Sequence, residues 1–166
     1  MLVRFKEDDI RSMGRTASGV RGIKLREGDY VVGMEIIEPG SEILVVTEKG
    51  YGKRTSEEEY RLQSRGGVGL KTIQITDKNG GMVAVKTVDS TEDIMLITIN
   101  GMLIRMDVND ISVIGRSTQG VRLIRLGDEE FVATVAKVEK ELPEDELDDE
   151  EENESGNAVE IEETEE

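Results

Sequence analysis

The sequence predicts an all-β fold built from three repeats of about 50 residues, followed by an acidic tail, and three observations support this prediction. Short β-branched and aliphatic runs, broken by glycine, fill residues 1–140. One pattern of arginine and glycine recurs at a spacing of 50 and then 51 residues. The segment 141–166 contains 15 acidic residues and no basic ones.

The strands are predicted from four stretches, "EILVVTEKGYGKRT", "GMVAVKTV", "DIMLITINGMLIRM" and "EEFVATVAKV". Runs of four to eight such residues bounded by turn residues are typical of strands. Lys49-Gly50 and Asn100-Gly101 predict hairpin turns. The best candidate for a helix is "SEEEYRL", which is equally compatible with a loop, and we expect its acids to be solvated and tolerant of substitution.

The repeat is visible when "VRFKEDDIRSMGRTASGVRGIKL", "KRTSEEEYRLQSRGGVGLKTIQI" and "IRMDVNDISVIGRSTQGVRLIRL" are superposed without a gap. In an all-strand chain, such a period predicts propeller-like blades, each burying one face against its neighbours. We place the repeats at about residues 1–41, 42–92 and 93–140. Basic residues align at three positions of every repeat: Arg4, Arg54 and Arg105; Arg15, Arg65 and Arg116; and Arg21, Lys71 and Arg122.

A glycine-rich element also recurs, as "GRTASGVR", "SRGGVGLK" and "GRSTQGVR". All three copies keep its last glycine (Gly19, Gly69 and Gly120), for which we predict a positive φ in a tight loop between strands. A mononucleotide site is not predicted, because a P-loop needs Gly-Lys-Ser/Thr running into a helix and this chain has none.

The aligned basic residues leave two interpretations open. Stacked blades would arrange all nine in a band around the rim, spaced for a periodic polyanion such as bent DNA. Alternatively, the band is a solvated rim paired with the intervening acids. The formal net charge of −16 does not decide between them, because residues 1–140 alone have a net charge of −1.

The tail, residues 141–166, lacks aromatic residues and sustained apolar runs, so we expect it to be disordered. Joined to the band near Leu142-Pro143, it would either compete with DNA for the arginines or act only as a solubilising segment. The two differ in whether a detached tail peptide inhibits DNA binding.

Absent residue types narrow the function. The chain has no Cys, His or Trp, which excludes disulfides, thiol nucleophiles, the usual zinc sites and histidine-based acid/base catalysis. We therefore predict no cofactor, no metal and no catalytic residue. No apolar run reaches the length of a signal peptide or a membrane span, so a cytoplasmic location is expected.

Long strings such as "GYGKRTSEEEYRLQSRGGVG" and "IGRSTQGVRLIRL" closely resemble the C-terminal domain of bacterial DNA gyrase A. This resemblance implies a six-bladed β-pinwheel whose basic perimeter wraps DNA, with the present sequence similar to the last three blades. It also implies negative supercoiling by the ATP-dependent type II topoisomerase, with double-stranded DNA, the rest of gyrase A and gyrase B as partners, near the nucleoid. The topoisomerase IV equivalent and a β-repeat protein-interaction module remain alternatives.

Two parts of the family pattern are altered or absent. The family's signature box, Gln-Arg-Arg-Gly-Gly-Lys-Gly, has a degenerate relative made of Gln63, Ser64, Arg65, Gly66, Gly67, Val68 and Gly69, in which two bases are replaced. The domain with the nucleophilic tyrosine is missing, and we interpret Tyr30, Tyr51 and Tyr60 as structural.

The first repeat starts late in the alignment. Leu2 aligns with Gly52 and Leu103, so no residues correspond to the strand that precedes the hairpin turn in the later repeats. We expect an unpaired edge there, and we expect Met1 to begin a fragment or the product of a split gene.

Overall fold

The structure is a computed structural model that describes residues 1–140. The predictions of disorder and of a hinge for residues 141–166 lie outside the described residues.

The described residues form antiparallel β-sheets joined by turns and loops. The strands are β1 (Glu42–Thr47), β2 (Tyr51–Ser56), β3 (Met82–Val88), β4 (Glu92–Thr98), β5 (Leu103–Asp107), β6 (Val121–Arg122) and β7 (Val132–Glu139). One turn of 3₁₀-helix occurs at the aligned position of each repeat: Glu7–Asp9, Glu57–Glu59 and Val108–Asp110. Residues 1–140 contain no α-helix, which confirms the all-β prediction.

The strands are divided between two sheets, with orders β3-β1-β2-β6 and β5-β4-β7. Strand β6 comes from the third repeat but pairs with β2 of the second, matching Gly52 with Val121 and Tyr51 with Arg122. An isolated antiparallel bridge joins Leu2 to Leu70 at the aligned place one repeat earlier. At both boundaries, therefore, a short segment of the later repeat pairs with the repeat before it.

Strand β1 is buried on both faces, because its side chains alternate between two core clusters. Leu44 and Val46 belong to the larger cluster, to which both sheets contribute. Ile43 and Val45 pack with Tyr60 in a smaller one. This two-sided burial explains why the sequence of β1 is a continuous apolar run and does not alternate with polar residues.

Both predicted hairpin turns are confirmed. The N–H of Gly50 donates to Thr47 O at 3.0 Å, and that of Gly101 donates to Thr98 O at the same distance. Their φ angles are 76° and 82°. A glycine in this left-handed conformation closes a three-residue hairpin loop without a steric penalty.

The first repeat has the unpaired edge that the alignment predicts. Residues 32–38 align with β3, which pairs with β1, but residues 1–41 contain no segment aligned with β1. Residues 32–38 form no strand, and the side chains of Met34 and Ile36 are 84% and 85% exposed. Lys86 of β3 forms an ion pair with Glu35, which holds the segment against the neighbouring repeat.

The structure corrects two details. The sequence predicts that "SEEEY" has solvated charges and tolerates substitution. Glu58 and Glu59 are exposed as expected, but Glu57 is buried and forms an ion pair with Arg4, and Tyr60 is fully buried. The sequence did not predict this burial, because a run of acids is typical of a surface segment and the alignment carries no information on burial. Tyr30 is 71% exposed, whereas Tyr51 and Tyr60 are 7% and 0% exposed, so the predicted structural role holds for Tyr51 and Tyr60 only.

Candidate nucleic-acid interface

The glycine-rich loops pack against the preceding repeat with the same geometry at both repeat boundaries. Arg65 Nη1 donates to Arg21 O at 2.5 Å, and Arg116 Nη1 donates to Lys71 O at 3.1 Å. Each contact joins the second aligned basic position of one repeat to the third aligned basic position of the repeat before it. The Nε atoms of Arg65 and Arg116 are buried and have no acceptor in the described residues, so this part of the chain alone satisfies neither guanidinium fully.

The last glycine of each loop has the predicted backbone conformation. The φ angles of Gly19, Gly69 and Gly120 are 76°, 83° and 80°, which confirms the prediction. At Gly120, a Cβ would lie 2.8 Å from Gly52 O, and at Gly69 it would lie 2.5 Å from Leu2 O. The missing side chain at these two positions therefore permits a close backbone approach that locks each loop onto the repeat before it.

The degenerate box, residues 63–69, is tied to the first repeat through its backbone. Gln63 N donates to Arg4 O, Gly66 N donates to Gly22 O, and Gly67 O accepts from Lys24 N, at 2.8, 2.7 and 2.8 Å. Ser64 and Val68 stand where the family box carries bases, and both are exposed. The structure thus places the two replaced positions on the solvent side of the loop.

The first set of aligned arginines lies in a different setting from the loop bases. Arg54 is 8% exposed, its Nη1 contacts Glu42 at 2.6 Å, and its Nε donates to Ile111 O at 2.8 Å. Arg4 contacts Glu57 in a comparable arrangement, with Nη1 donating to the carbonyls of Glu57 and Tyr60.

Arg105, on β5, contacts Asp93 Oδ2 at 2.8 Å and Glu139 O at 3.0 Å. The contacts of Arg4, Arg54 and Arg105 hold repeats and strands together. Their assignment to DNA contacts stays a prediction, and this placement adds nothing in its favour.

The other aligned bases differ in their ion pairing. Arg116 forms a loose ion pair, with its Nε 3.8 Å from Glu59 Oε2. Among residues 1–140, no carboxylate lies within 4.0 Å of the remaining five, which are Arg15, Arg21, Arg65, Lys71 and Arg122. Arg15, Arg21, Lys71 and Arg122 are exposed. Within the described part of the chain, intervening acids therefore pair with four of the nine aligned bases and leave the other five without a carboxylate partner.

A buried lysine, Lys53, holds the glycine-rich loop of the third repeat. Lys53 is fully buried, and its Nζ donates to Gly115 O and Arg116 O at 2.6 Å each and to Thr118 Oγ1 at 3.2 Å. Burial lowers the pKa of Lys53 to about 8, opposed by the carboxylate of Glu59. Its hydrogen bonds fix the backbone that carries Arg116.

The repeat alignment misses a further group of cations around Tyr51. Lys78 Nζ and the guanidinium of Arg122 each lie 5.5 Å from the centre of the Tyr51 ring. Lys49 and Arg125 line the same cleft. Of these four cations, only Arg122 has a basic residue at the equivalent position of both other repeats. The alignment therefore does not mark Lys49, Lys78 or Arg125.

Metal-ligand clusters and membrane-spanning helices are both absent from residues 1–140. Within residues 1–140, no group of three or more His, Cys, Asp or Glu side chains is placed to hold a metal ion. The same residues include no helix with the length and apolar character needed to cross a bilayer.

Comparison with known proteins identifies the family. The sequence profile described as "DNA gyrase C-terminal domain, beta-propeller" matches residues 1–38, 41–89 and 92–139. The chain belongs to this family. The resemblance inferred from the glycine-rich strings is thereby confirmed.

The similar curated proteins include gyrase A of two Staphylococcus aureus strains. That of strain NCTC 8325 is 56% identical over 156 residues, and that of strain MRSA252 is 55% identical over 150 residues. These alignments cover 93% and 89% of this chain. The chain spans only 18% and 17% of the length of those relatives.

Two solved structures share the fold. The C-terminal domain of DNA gyrase A superposes with a TM-score of 0.74 at 28% identity, covering 80% of this chain and 45% of that one. The C-terminal domain of DNA topoisomerase IV superposes with a TM-score of 0.77 at 26% identity, covering 90% and 47%. The partial coverage of both neighbours agrees with a chain that resembles part of a pinwheel.

Proposed function

We propose that this chain binds and wraps double-stranded DNA as part of the C-terminal domain of DNA gyrase A. In this role it supports negative supercoiling by the holoenzyme, a type II topoisomerase driven by ATP. The rest of gyrase A and gyrase B are its partners, and the complex works on the nucleoid in the cytoplasm. The family membership supports the assignment to gyrase A, and the loop geometry supports the mode of binding.

One observation carries the binding mode. At successive repeat boundaries, basic residues occupy equivalent positions beside loops fixed by backbone contacts, and five of them have no carboxylate within 4.0 Å in the described residues. Cations left unpaired at regular intervals suit a polyanion with regular phosphate spacing. Such contacts position a duplex without reading its bases.

The chain itself is proposed to be non-catalytic. Tyr60 is buried, with its hydroxyl 2.5 Å from Thr72 Oγ1, and Tyr51 is 7% exposed with its hydroxyl bonded to Arg122. Neither of these two hydroxyls is free to attack a phosphodiester. The third tyrosine, Tyr30, is 71% exposed, and it is set aside because it follows Asp29, whereas the nucleophilic tyrosine of the family follows an arginine. Strand cleavage and ATP hydrolysis belong to other parts of the holoenzyme.

Two alternatives predict different behaviour. The C-terminal domain of topoisomerase IV shares the fold, but the curated relatives at 55–56% identity are gyrase proteins. A protein-interaction module would use the same arginines on an acidic protein and would ignore DNA.

The test compares cations that differ in their pairing. Arg21→Gln and Lys71→Gln remove unpaired loop charges, whereas Lys86→Gln and Lys137→Gln remove cations that pair with Glu35 and Glu92. All four change the net charge equally. Duplex affinity is measured as a function of salt for two unrelated sequences. We expect each loop variant to reduce the salt slope by about 1 for both sequences, with the controls unchanged. Equal effects in the loop and control variants, or loss for one sequence only, would contradict the proposal.

A further inference from the structure

Two cations converge on one buried tyrosine ring at the boundary between the second and third repeats. Tyr51 begins β2, and its hydroxyl accepts from Nη2 of Arg122 at 2.9 Å and from Nε at 3.3 Å. The Arg122 guanidinium and Lys78 Nζ both lie 5.5 Å from the ring centre, within the range of a cation–π interaction. The hydrogen bond from Arg122, with the charges of Arg122 and Lys78, lowers the pKa of the phenol.

Backbone contacts hold the three segments that carry these cations. The β2–β6 pairing sets Tyr51 opposite Arg122. Lys49, in the β1–β2 turn, donates from Nζ to Asp77 O at 2.6 Å, beside Lys78. Buried Asn79 ties the same loop to the next repeat, because its Nδ2 donates to Gln119 O at 3.0 Å. The fold therefore brings the three segments that carry these cations together at this boundary.

The cations gathered here form no ion pair within the described part of the chain. No carboxylate of residues 1–140 lies within 4.0 Å of the cationic groups of Lys49, Lys78 or Arg122. Asp128, Glu129 and Glu130 line the same cleft, and Glu130 accepts from Gly127 N and from Thr98 Oγ1, at 3.3 Å each. Because Lys49, Lys78 and Arg122 are exposed, an anion that contacts them from solvent would relieve the repulsion among them.

The repeat itself does not require this cluster. Met1 and Met102 align with Tyr51, and Gly28 and Glu129 align with Lys78. A feature that only maintained the fold would be expected at every boundary. Its presence at one of the two boundaries within residues 1–140, where it includes the band residue Arg122, indicates a local role.

We propose that Lys49, Lys78 and Arg122 form a phosphate-binding site that extends the DNA track beyond the aligned bases. The inference rests on the proposed function. The ligand is the phosphodiester backbone of duplex DNA, and Tyr51 is a positioning residue that orients Arg122 through its hydroxyl.

The test separates contact residues from the positioning residue. Lys78→Gln and Arg122→Gln each remove a charge, whereas Tyr51→Phe keeps the ring and removes only the hydroxyl. With the full chain and a random-sequence duplex, we expect each Gln variant to reduce the salt slope by about 1. We expect Tyr51→Phe to weaken binding several-fold with the slope unchanged, because no charge is lost.

Lys137→Gln is the matched control, since it removes a cation on β7 that is paired with Glu92. Circular dichroism and thermal unfolding establish that each variant is folded. If wild type binds with a steep slope that Arg21→Gln and Lys71→Gln reduce, while Lys78→Gln behaves like Lys137→Gln, the Tyr51 site is refuted and the proposed function stands. If the wild-type chain shows no salt-dependent binding, the proposed function is refuted, and the Tyr51 site is refuted with it.

Discussion

Gly120→Ala tests whether the glycine-rich loop is locked by close backbone approach. Gly120 has a φ of 80°, and an added Cβ would lie 2.8 Å from the oxygen and 3.1 Å from the carbon of the Gly52 carbonyl. Alanine therefore meets two penalties. The left-handed conformation costs about 1 kcal/mol. The contact with β2 requires the paired strands to separate by several tenths of an ångström, and such overpacking costs about 2 kcal/mol.

Gly101→Ala is the control for the first penalty alone. Its φ is 82°, but a Cβ there would have no heavy atom within 4 Å. We expect a loss of about 1 kcal/mol for Gly101→Ala and about 3 kcal/mol for Gly120→Ala in the free energy of unfolding. Equilibrium urea unfolding, with m unchanged between variants, measures both values. Equal losses would refute the close-approach argument, and a gain at Gly120 would refute the conformational argument as well.

Three further predictions concern buried polar groups. The pKa of the Lys53 amine is about 8 in the folded chain and 10.5 in a free lysine. Between these two pH values the unfolded chain therefore keeps the ammonium proton that the folded chain has lost. The unfolding free energy of wild type should therefore rise with pH across this window relative to Lys53→Met, by roughly 3 kcal/mol at most; parallel pH profiles would contradict this. Glu57→Gln should cost about 2 kcal/mol, since it leaves the Arg4 guanidinium without its carboxylate, whereas the exposed Glu58→Gln should be neutral in the same urea experiment. Tyr60→Phe should cost about 1 kcal/mol by leaving Thr72 Oγ1 without its buried partner, and an unchanged melting temperature would count against that bond.

Much of the fold was predictable because it is periodic. The spacing of 50 and 51 residues reveals the three repeats. The turns at Gly50 and Gly101 and the left-handed glycines follow from the strong backbone preferences of glycine. The exchange of β6 between repeats was not predictable, because a two-residue strand gives no periodic signal.

The site was less accessible to sequence reasoning. An alignment registers that Arg4 and Arg54 recur, but it cannot distinguish a guanidinium buried against carbonyls from one facing solvent. Lys53 is not marked by the alignment because the equivalent residues are apolar, Val3 and Ile104. The Tyr51 cluster joins residues far apart in the chain at one of the two boundaries within residues 1–140, so no repeated pattern marks it.

The salt dependence of duplex binding by the wild-type chain tests the central claim most directly. If about six phosphates are contacted, the logarithm of the association constant should fall against the logarithm of the salt concentration with a slope of about −5. Affinity should then decrease roughly a thousandfold between about 50 and 200 mM salt, equally for duplexes of unrelated sequence. A slope near zero, or binding confined to one sequence, would contradict a phosphate track on this chain.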